Sequence, residues 1–435
     1  MALDLPQPHA SPAPPEGSVS APFKPLKIAI LSYRCAPHVG GQGVYVEYLS
    51  TALSQLGHSV DVISGPPYCD THESVTDIHL PSLDLYAQPH NGHYALRPKH
   101  LLSPTDTYEY VSHLTGKFSE PITFGQRAYR YLKKHGHQYD IILDNQCLAS
   151  GTLKLQTDLK LPLVTMIHHP ITEDLRLALE AEDDFWMRQL IRRWYSFHHM
   201  QVKVSRQLKH IISPSMSARN HIAEEFDLPT ERITPIRLGV DKTYFHPNPD
   251  MPRKARQIVT TVSADSPLKG LKFLIEAVHQ LSPDFPDLEL VIVGKSLSEE
   301  SEKLLSDYNL TDRTEFRSEL SREEIADAFR TATLLVSPSL YEGFGLPPAE
   351  AMMCGTPVIV TDGGALPEVA GDAGLVVPKG NPDALAAAIS DLLTDTGKRQ
   401  SVAKACLERA QSVFDWSQIA REYDAYFRQV LATTC

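Results

Sequence analysis

Two short apolar runs in the C-terminal part of the chain, Ala332 to Pro338 (ATLLVSP) and Gly355 to Asp362 (GTPVIVTD), read as buried strands. Between them stands Ser339-Leu340-Tyr341-Glu342-Gly343-Phe344-Gly345-Leu346-Pro347-Pro348-Ala349-Glu350, followed by AEAMMC, a short apolar helix with proline in its first turn. Strand, turn, helix and strand in that order call for a doubly wound α/β layer. Gly343 and Gly345 let the backbone come close to a ligand, and the free amides at the helix start favour an anion such as a diphosphate. The second strand ends in Gly363-Gly364-Ala365, another turn able to present bare amides.

Taken alone, the local chemistry admits two readings. Glu342 can be an ordinary turn residue and Glu350 a first-turn carboxylate stabilised by the helix dipole. Alternatively, the two acids flank a bound anion, with Glu350 facing a polyol. The neighbouring second glycine turn favours the latter.

The 435 residues suffice for two α/β domains with filled cores. A formal charge of -12 argues against a general nucleic-acid binder. Cys35, Cys69, Cys147, Cys354, Cys406 and Cys435 are scattered with no close pair, so neither a zinc site nor a disulfide framework is expected, and a reducing cytoplasm is the expected home. Residues 1–25, rich in proline, serine and alanine, are expected to be a disordered tail rather than a signal peptide. No later run reaches the roughly 18 apolar residues of a membrane span.

Order is expected from Leu26 to Ser32 (LKIAILS), then a loop with Gly40-Gly41-Gln42-Gly43, a helix to about Leu56 and a strand from Val60 to Ser64. The loop lacks the spacing of a dinucleotide fingerprint, yet Gly41 can approach a phosphate or sugar. Pro66 to Glu120 reads as loops and short elements, and its histidines have no ligand spacing. Strands follow at Tyr139 to Asp144 and Leu161 to His168, the latter placing His168 where open sheets hold ligands, although a structural histidine fits as well. The expected boundaries are a first domain over 26–235, a second over 236–414 and a helix over 415–435 that crosses back.

Arg188 to Lys209 (RQLIRRWYSFHHMQVKVSRQLK) holds six lysines and arginines and no acid. Leu190, Ile191, Trp194 and Phe197 share one side at helical spacing. A basic amphipathic helix docking on anionic lipid accounts for this, as does a stripe packed on the domain with solvated charges.

Lys269-Gly270 opening a helix, then Glu342-Gly343-Phe344-Gly345-Leu346 to Glu350, then Gly363-Gly364-Ala365-Leu366-Pro367-Glu368 resemble the retaining glycosyltransferases of family 4. That family has the GT-B fold, two Rossmann-like doubly wound domains facing across a cleft, and includes sucrose synthase and phosphatidylinositol mannosyltransferase. Gly40-Gly41, Gly57-His58, Leu238-Gly239-Val240-Asp241 and the Trp416 helix fit too, so the resemblance covers about Leu26 to Leu431.

The resemblance implies transfer of a hexose from a nucleotide-diphosphate sugar, expected to be UDP-linked, with retention and with no cofactor or metal. Lys269 and the amides near Gly364 and Leu346 would hold the diphosphate, Glu342 would sit by the hexose, Glu350 would take the ribose hydroxyls, and the backbone amides of Gly343, Phe344, Gly345 and Leu346 would touch the sugar. His168 would reach the hexose from the other domain. One departure stands out: Ala264 occupies a position where the family usually has an arginine, so one diphosphate cation is either missing, with weaker donor binding or a shifted donor choice, or supplied from elsewhere, as by Arg237 or Arg317. The expected acceptor is a membrane lipid met by Arg188 to Lys209 at the inner membrane face, or else a soluble sugar or sugar phosphate. A non-catalytic nucleotide-sugar-binding protein, a phosphorylase or an epimerase on the same plan are the alternatives.

Overall fold

The computed structural model describes residues 24–434 apart from 36–40, 89–91, 93–94, 181 and 263–265. Most of the expected tail, Gly40, His90, His93 and Ala264 therefore lie outside the described residues.

The first domain runs β1 (Lys27–Ser32), α1 (Gly41–Gln55), β2 (Ser59–Ser64), β3 (Thr76–His79), α2 (Pro104–Leu114), α3 (Glu120–His135), β4 (Ile141–Asn145) and α4 (Ser150–Thr157). It continues with β5 (Leu163–Met166), α5 (Ile171–Glu180), α6 (Phe185–Trp194), α7 (His198–Ser205), β6 (Ile211–Ser213), α8 (Met216–Phe226) and β7 (Ile233–Pro235). The second runs β8 (Gln257–Val262), α9 (Leu271–Leu281), β9 (Glu289–Gly294), α10 (Glu299–Asp307), β10 (Thr314–Arg317), α11 (Arg322–Thr331), β11 (Leu334–Ser337) and α12 (Leu346–Met353). After them come β12 (Val358–Thr361), α13 (Leu366–Ala370), β13 (Leu375–Val377), α14 (Pro382–Thr394), α15 (Thr396–Val413) and α16 (Trp416–Thr434).

Both sheets are parallel, ordered β3-β2-β1-β4-β5-β6-β7 and β10-β9-β8-β11-β12-β13. Their strands are buried on both faces, as the apolar runs require. Strand order reverses between β1 and β4 in one sheet and between β8 and β11 in the other. Crevices open at the carboxyl ends of strands at such reversals. The segments after β1, β4, β8 and β11 contain Gly41, Asn145, Lys269 and Glu342.

The domains are held together by α16, which returns to α1 and places the Tyr423 hydroxyl 2.8 Å from that of Tyr45 inside a core shared by both domains. Arg322 on α11 makes a two-pronged ion pair with Glu47 on α1, at 2.8 and 2.5 Å, with its guanidinium 4.9 Å from the Tyr48 ring. Glu368 accepts from the amides of Met216 and Ser217 at the start of α8, at 2.9 and 2.7 Å.

Two expectations are corrected. Cys35 and Cys69 form a disulfide, with Cα atoms 4.6 Å apart. The sequence spacing of 34 hid it because β1 and β2 are adjacent parallel strands, so the segments leaving their ends meet; the Cys35 amide donates to the Pro67 carbonyl at 2.9 Å. The cysteine argument for a reducing compartment falls with it.

Arg188 to Lys209 is not one helix. It breaks at a 3-10 turn, Tyr195–Phe197, into α6, which buries no residue, and α7, which buries Gln201, Val204 and Ser205. Phe197 packs inward, whereas Leu190 and Trp194 are exposed, so the expected stripe is split between core and surface. Among the described residues no helix is long and apolar enough to cross a membrane.

Candidate active site

Two glycines set the position of Glu342. Gly270 has φ +61°, and a Cβ there would collide with the Pro338 carbonyl, so only glycine lets the turn before α9 lie on the end of β11. That approach brings the Lys269 ammonium to 2.8 Å from the Glu342 carboxylate, which also accepts from the Ser339 hydroxyl at 2.9 Å. From the other side, Gly364 at φ +66° presses against the Glu342 backbone, and the Ala365 amide donates to the Glu342 carbonyl at 2.9 Å. Glu342 is thus clamped between the segments that follow β8 and β12.

The next residues face the first domain. A Cβ on Gly343 would lie 2.8 Å from the His168 carbonyl, and the Ser215 hydroxyl donates to the Gly343 carbonyl at 2.8 Å. Gly345, at φ +103°, starts α12. Leu346 at the head of α12 comes within 4.0 Å of a Cβ built on Gly41, which heads α1. Two helix N-termini therefore converge across the cleft, beside Lys269, in the arrangement that favours an anion.

His168 is held rigidly. Its amide donates to Gln146 Oε1 at 2.6 Å, its Nε2 pairs with Asn145 Oδ1 at 2.7 Å, and its ring meets Tyr45 edge-on at 4.9 Å. Asn145 Nδ2 points to the Ser32 hydroxyl and the Gln42 carbonyl, so its Oδ1 accepts and His168 Nε2 carries the proton. Burial, reinforced by His169, lowers the His168 pKa to about 3. The ring is neutral at physiological pH, its Nε2 proton is engaged by Asn145, and Nδ1 is left as an acceptor.

Glu350 lies on α12. Burial raises its pKa to about 7, with Arg322 opposing and Asp241 reinforcing. Hydroxyl groups donating to such a carboxyl favour its ionised form. Phe344 is buried against Phe414, edge-on at 5.9 Å, and so packs the turn rather than lining a surface.

Arg317 makes both its close contacts to Glu315 on the same edge strand, at 2.8 and 2.7 Å, and Arg237 is exposed near Arg409. Among the described residues no hydrogen bond or ion pair joins either cation to the Lys269–Glu342 pair. Sequence reasoning also passed over Ser339, Ser215, Tyr45 and the Glu47–Arg322 pair. Each is a common residue whose significance depends on what it meets from far along the chain. Asn145-Gln146 did stand just past a strand end, which was the available signal.

The sequence matches the Glycosyltransferase Family 4 description over residues 39–244 and that of Glycosyl transferases group 1 over residues 247–409, one on each domain. It is 38% identical over 415 residues to an MMP alpha-(1->4)-mannosyltransferase of Mycolicibacterium hassiacum, covering 94% of this chain and 99% of the relative. The chain is a family 4 glycosyltransferase. As a member of that family it is an enzyme, a transferase of sugar residues, with the GT-B architecture described above. The solved sucrose-phosphate synthase of Thermosynechococcus elongatus superposes with a TM-score of 0.71 at 25% identity, covering 94% of this chain and all of that one (100%). A phosphatidyl-myo-inositol mannosyltransferase of Mycolicibacterium smegmatis is 34% identical, over 43% of this chain and 51% of the relative.

Proposed function

We propose that this glycosyltransferase moves a mannosyl residue from a nucleotide-diphosphate mannose to a hydroxyl of a mannoside acceptor, forming an α-(1→4) bond with retention and without a metal. The observation that carries the donor half is the meeting of the α1 and α12 N-termini at Gly41 and Leu346, with Lys269 alongside. Amide dipoles and one ammonium supply the positive potential that a departing diphosphate needs. The mannosyl and α-(1→4) parts rest on the similarity to the mannosyltransferase that aligns along nearly the whole chain.

In this reading Lys269 leaves Glu342 to contact the diphosphate, Glu342 moves to the hexose, and Glu350 accepts from the ribose hydroxyls. The bond from C1 to the phosphate oxygen breaks as the acceptor oxygen bonds C1 on the same face. A phosphate oxygen of the leaving group takes the acceptor proton. His168, fixed by Asn145 and Gln146, presents a neutral edge to the hexose. An acceptor carried on a lipid is the second reading, supported by the partial similarity to a phosphatidyl-myo-inositol mannosyltransferase.

The test is incubation of the purified protein with GDP-, UDP- and ADP-linked mannose and glucose, offering α-mannosides with a free 4-hydroxyl and, separately, a lipid extract. Mass spectrometry and the anomeric proton coupling of the product are read. Nucleotide release with an α-linked mannosyl product is expected; no release from any donor, or a β-linked product, overturns the proposal.

A further inference from the structure

Twelve large apolar side chains are exposed among the described residues, and ten of them lie on the 3-10 turn Pro98–Leu102, on α2 and on α6. Chance scatter does not do this. On α2, Tyr108, Val111 and Leu114 recur every third residue and form one outward stripe. The last part of α6 lies on the residues just after that stripe. Leu190 covers Gly116, Arg193 donates to the Thr115 hydroxyl at 2.7 Å, and the Trp194 ring stacks on Phe118 at 5.3 Å. The stripe and the last part of α6 therefore adjoin, and on the elements that carry them Leu102 is 87% and Trp186 76% exposed.

Monomeric proteins seldom leave contiguous apolar patches of more than a few hundred Å² in water. The ten side chains together expose on the order of 1,000 Å², comparable with the roughly 800 Å² per partner of a standard interface. Tryptophan, phenylalanine, methionine and arginine, which dominate α6, are also types enriched at such interfaces.

The charges on α6 indicate the occupant. Glu182, Asp183 and Asp184 stand at its start, next to Phe185 and Trp186, while Arg192 and Arg193 stand at its end. Arg188 is folded back onto the carbonyls of Leu179 and Glu182. Farther on, Arg206 pairs with Asp227 at 3.4 Å and belongs to α7's own surroundings. An anionic lipid surface taking up Trp186 would draw three carboxylates towards itself. A second α6 running antiparallel meets no such penalty, because each acidic start then faces a basic end. Ten residues at about 1.5 Å each put those ends about 15 Å apart, a span that one helix matches against its own copy. Asp183 and Arg192 have no ion-pair partner among the described residues, so both are free for that contact.

We infer that this face binds a second copy of the chain across a twofold axis, with the two α6 helices antiparallel and Asp183 of each subunit against Arg192 of the other. The contact is isologous, as a closed dimer requires.

Sedimentation of the full chain between about 1 and 100 μM tests this, with Kd values over that range accessible. A dimer is expected. Trp186→Asp and Arg192→Glu should each weaken it at least about tenfold, as expected for central anchors and facing charges. Circular dichroism and donor turnover, which involve neither residue, should stay unchanged. The double variant Asp183→Arg/Arg192→Glu should recover the dimer, because the charges are exchanged rather than removed. A wild-type chain that is monomeric at the highest concentration, a double variant as weak as Arg192→Glu alone, or Trp186-dependent binding to phosphatidylglycerol vesicles overturns the inference.

Discussion

The Lys269 ammonium lies 2.8 Å from the Glu342 carboxylate, with both side chains mostly shielded. Each charge neutralises the other, which keeps the site from holding a bare cation in low dielectric. Under the proposed function a diphosphate would have to draw Lys269 away from this partner, releasing Glu342 towards the sugar.

Glu342→Gln separates binding from chemistry. Without the carboxylate, Lys269 is free, and the affinity for nucleoside diphosphate measured by calorimetry is expected to hold or rise. Transfer should fall by about 10²- to 10³-fold, the usual cost of removing one preorganised polar group from a transition state. Parallel loss of both would show that Glu342 acts in binding alone.

Lys269→Ala should weaken nucleoside diphosphate binding by about 10- to 150-fold, corresponding to the roughly 1.5 to 3 kcal/mol of a charge-assisted hydrogen bond. The same variant leaves Glu342 without its cation, so its effect on transfer is expected to exceed its effect on binding. Calorimetry and steady-state rates on one preparation give both numbers.

Glu350 predicts a pH dependence. Its folded pKa of about 7 lies above the ordinary 4.5, so its contribution to stability is complete below the ordinary value and is lost as pH rises through about 7. Donor binding runs the opposite way, because ribose hydroxyls donate to the carboxylate and favour the deprotonated form. Donor affinity should therefore rise between about pH 6 and pH 8 by up to tenfold per unit, and Glu350→Gln should flatten the profile. A wild-type profile flat over that range would exclude Glu350 from the ribose contact.

Gly270→Ala places a methyl group against the Pro338 carbonyl at a positive φ. Relief requires the turn before α9 to move, at a cost of at least about 1 to 2 kcal/mol in thermal or denaturant unfolding. Donor affinity should fall more than stability, since Lys269 moves with that turn. Equal losses would mean that the glycine serves the fold alone.

The Glu47–Arg322 pair joins α1 to α11, and a double-mutant cycle is expected to give about 1 to 3 kcal/mol of coupling, because the pair is two-pronged, partly shielded and covered by Tyr48. Coupling near zero in the unfolding free energy would show that this pair contributes nothing to joining the domains.

Much of the architecture was legible in the chain. Runs such as KIAILS and LVIVG are apolar enough to be buried strands whatever surrounds them, and glycine turns after them announce a parallel sheet with sites at the strand ends. The turn around Glu342 was legible for the same reason: Gly270, Gly343 and Gly364 stand where a side chain would meet backbone, and Gly345 where it would meet the Leu366 side chain at a positive φ. Less visible were α5, which buries no residue, α15, which buries only Cys406 and Ala410, and Leu375–Val377, too short to stand out.

What the amino-acid order determined by itself was local: which segments become strands, where the backbone must turn, and which acids and lysine stand beside those turns. Partnership was decided only by the tertiary structure. Cys35 reaches Cys69 because two parallel strands lie side by side, His168 is neutral because Asn145 and Tyr45 enclose it, and Glu350 titrates near neutrality because its helix is buried. Each of these depends on distance and dielectric between residues far apart in the chain, quantities that do not exist until the chain has folded.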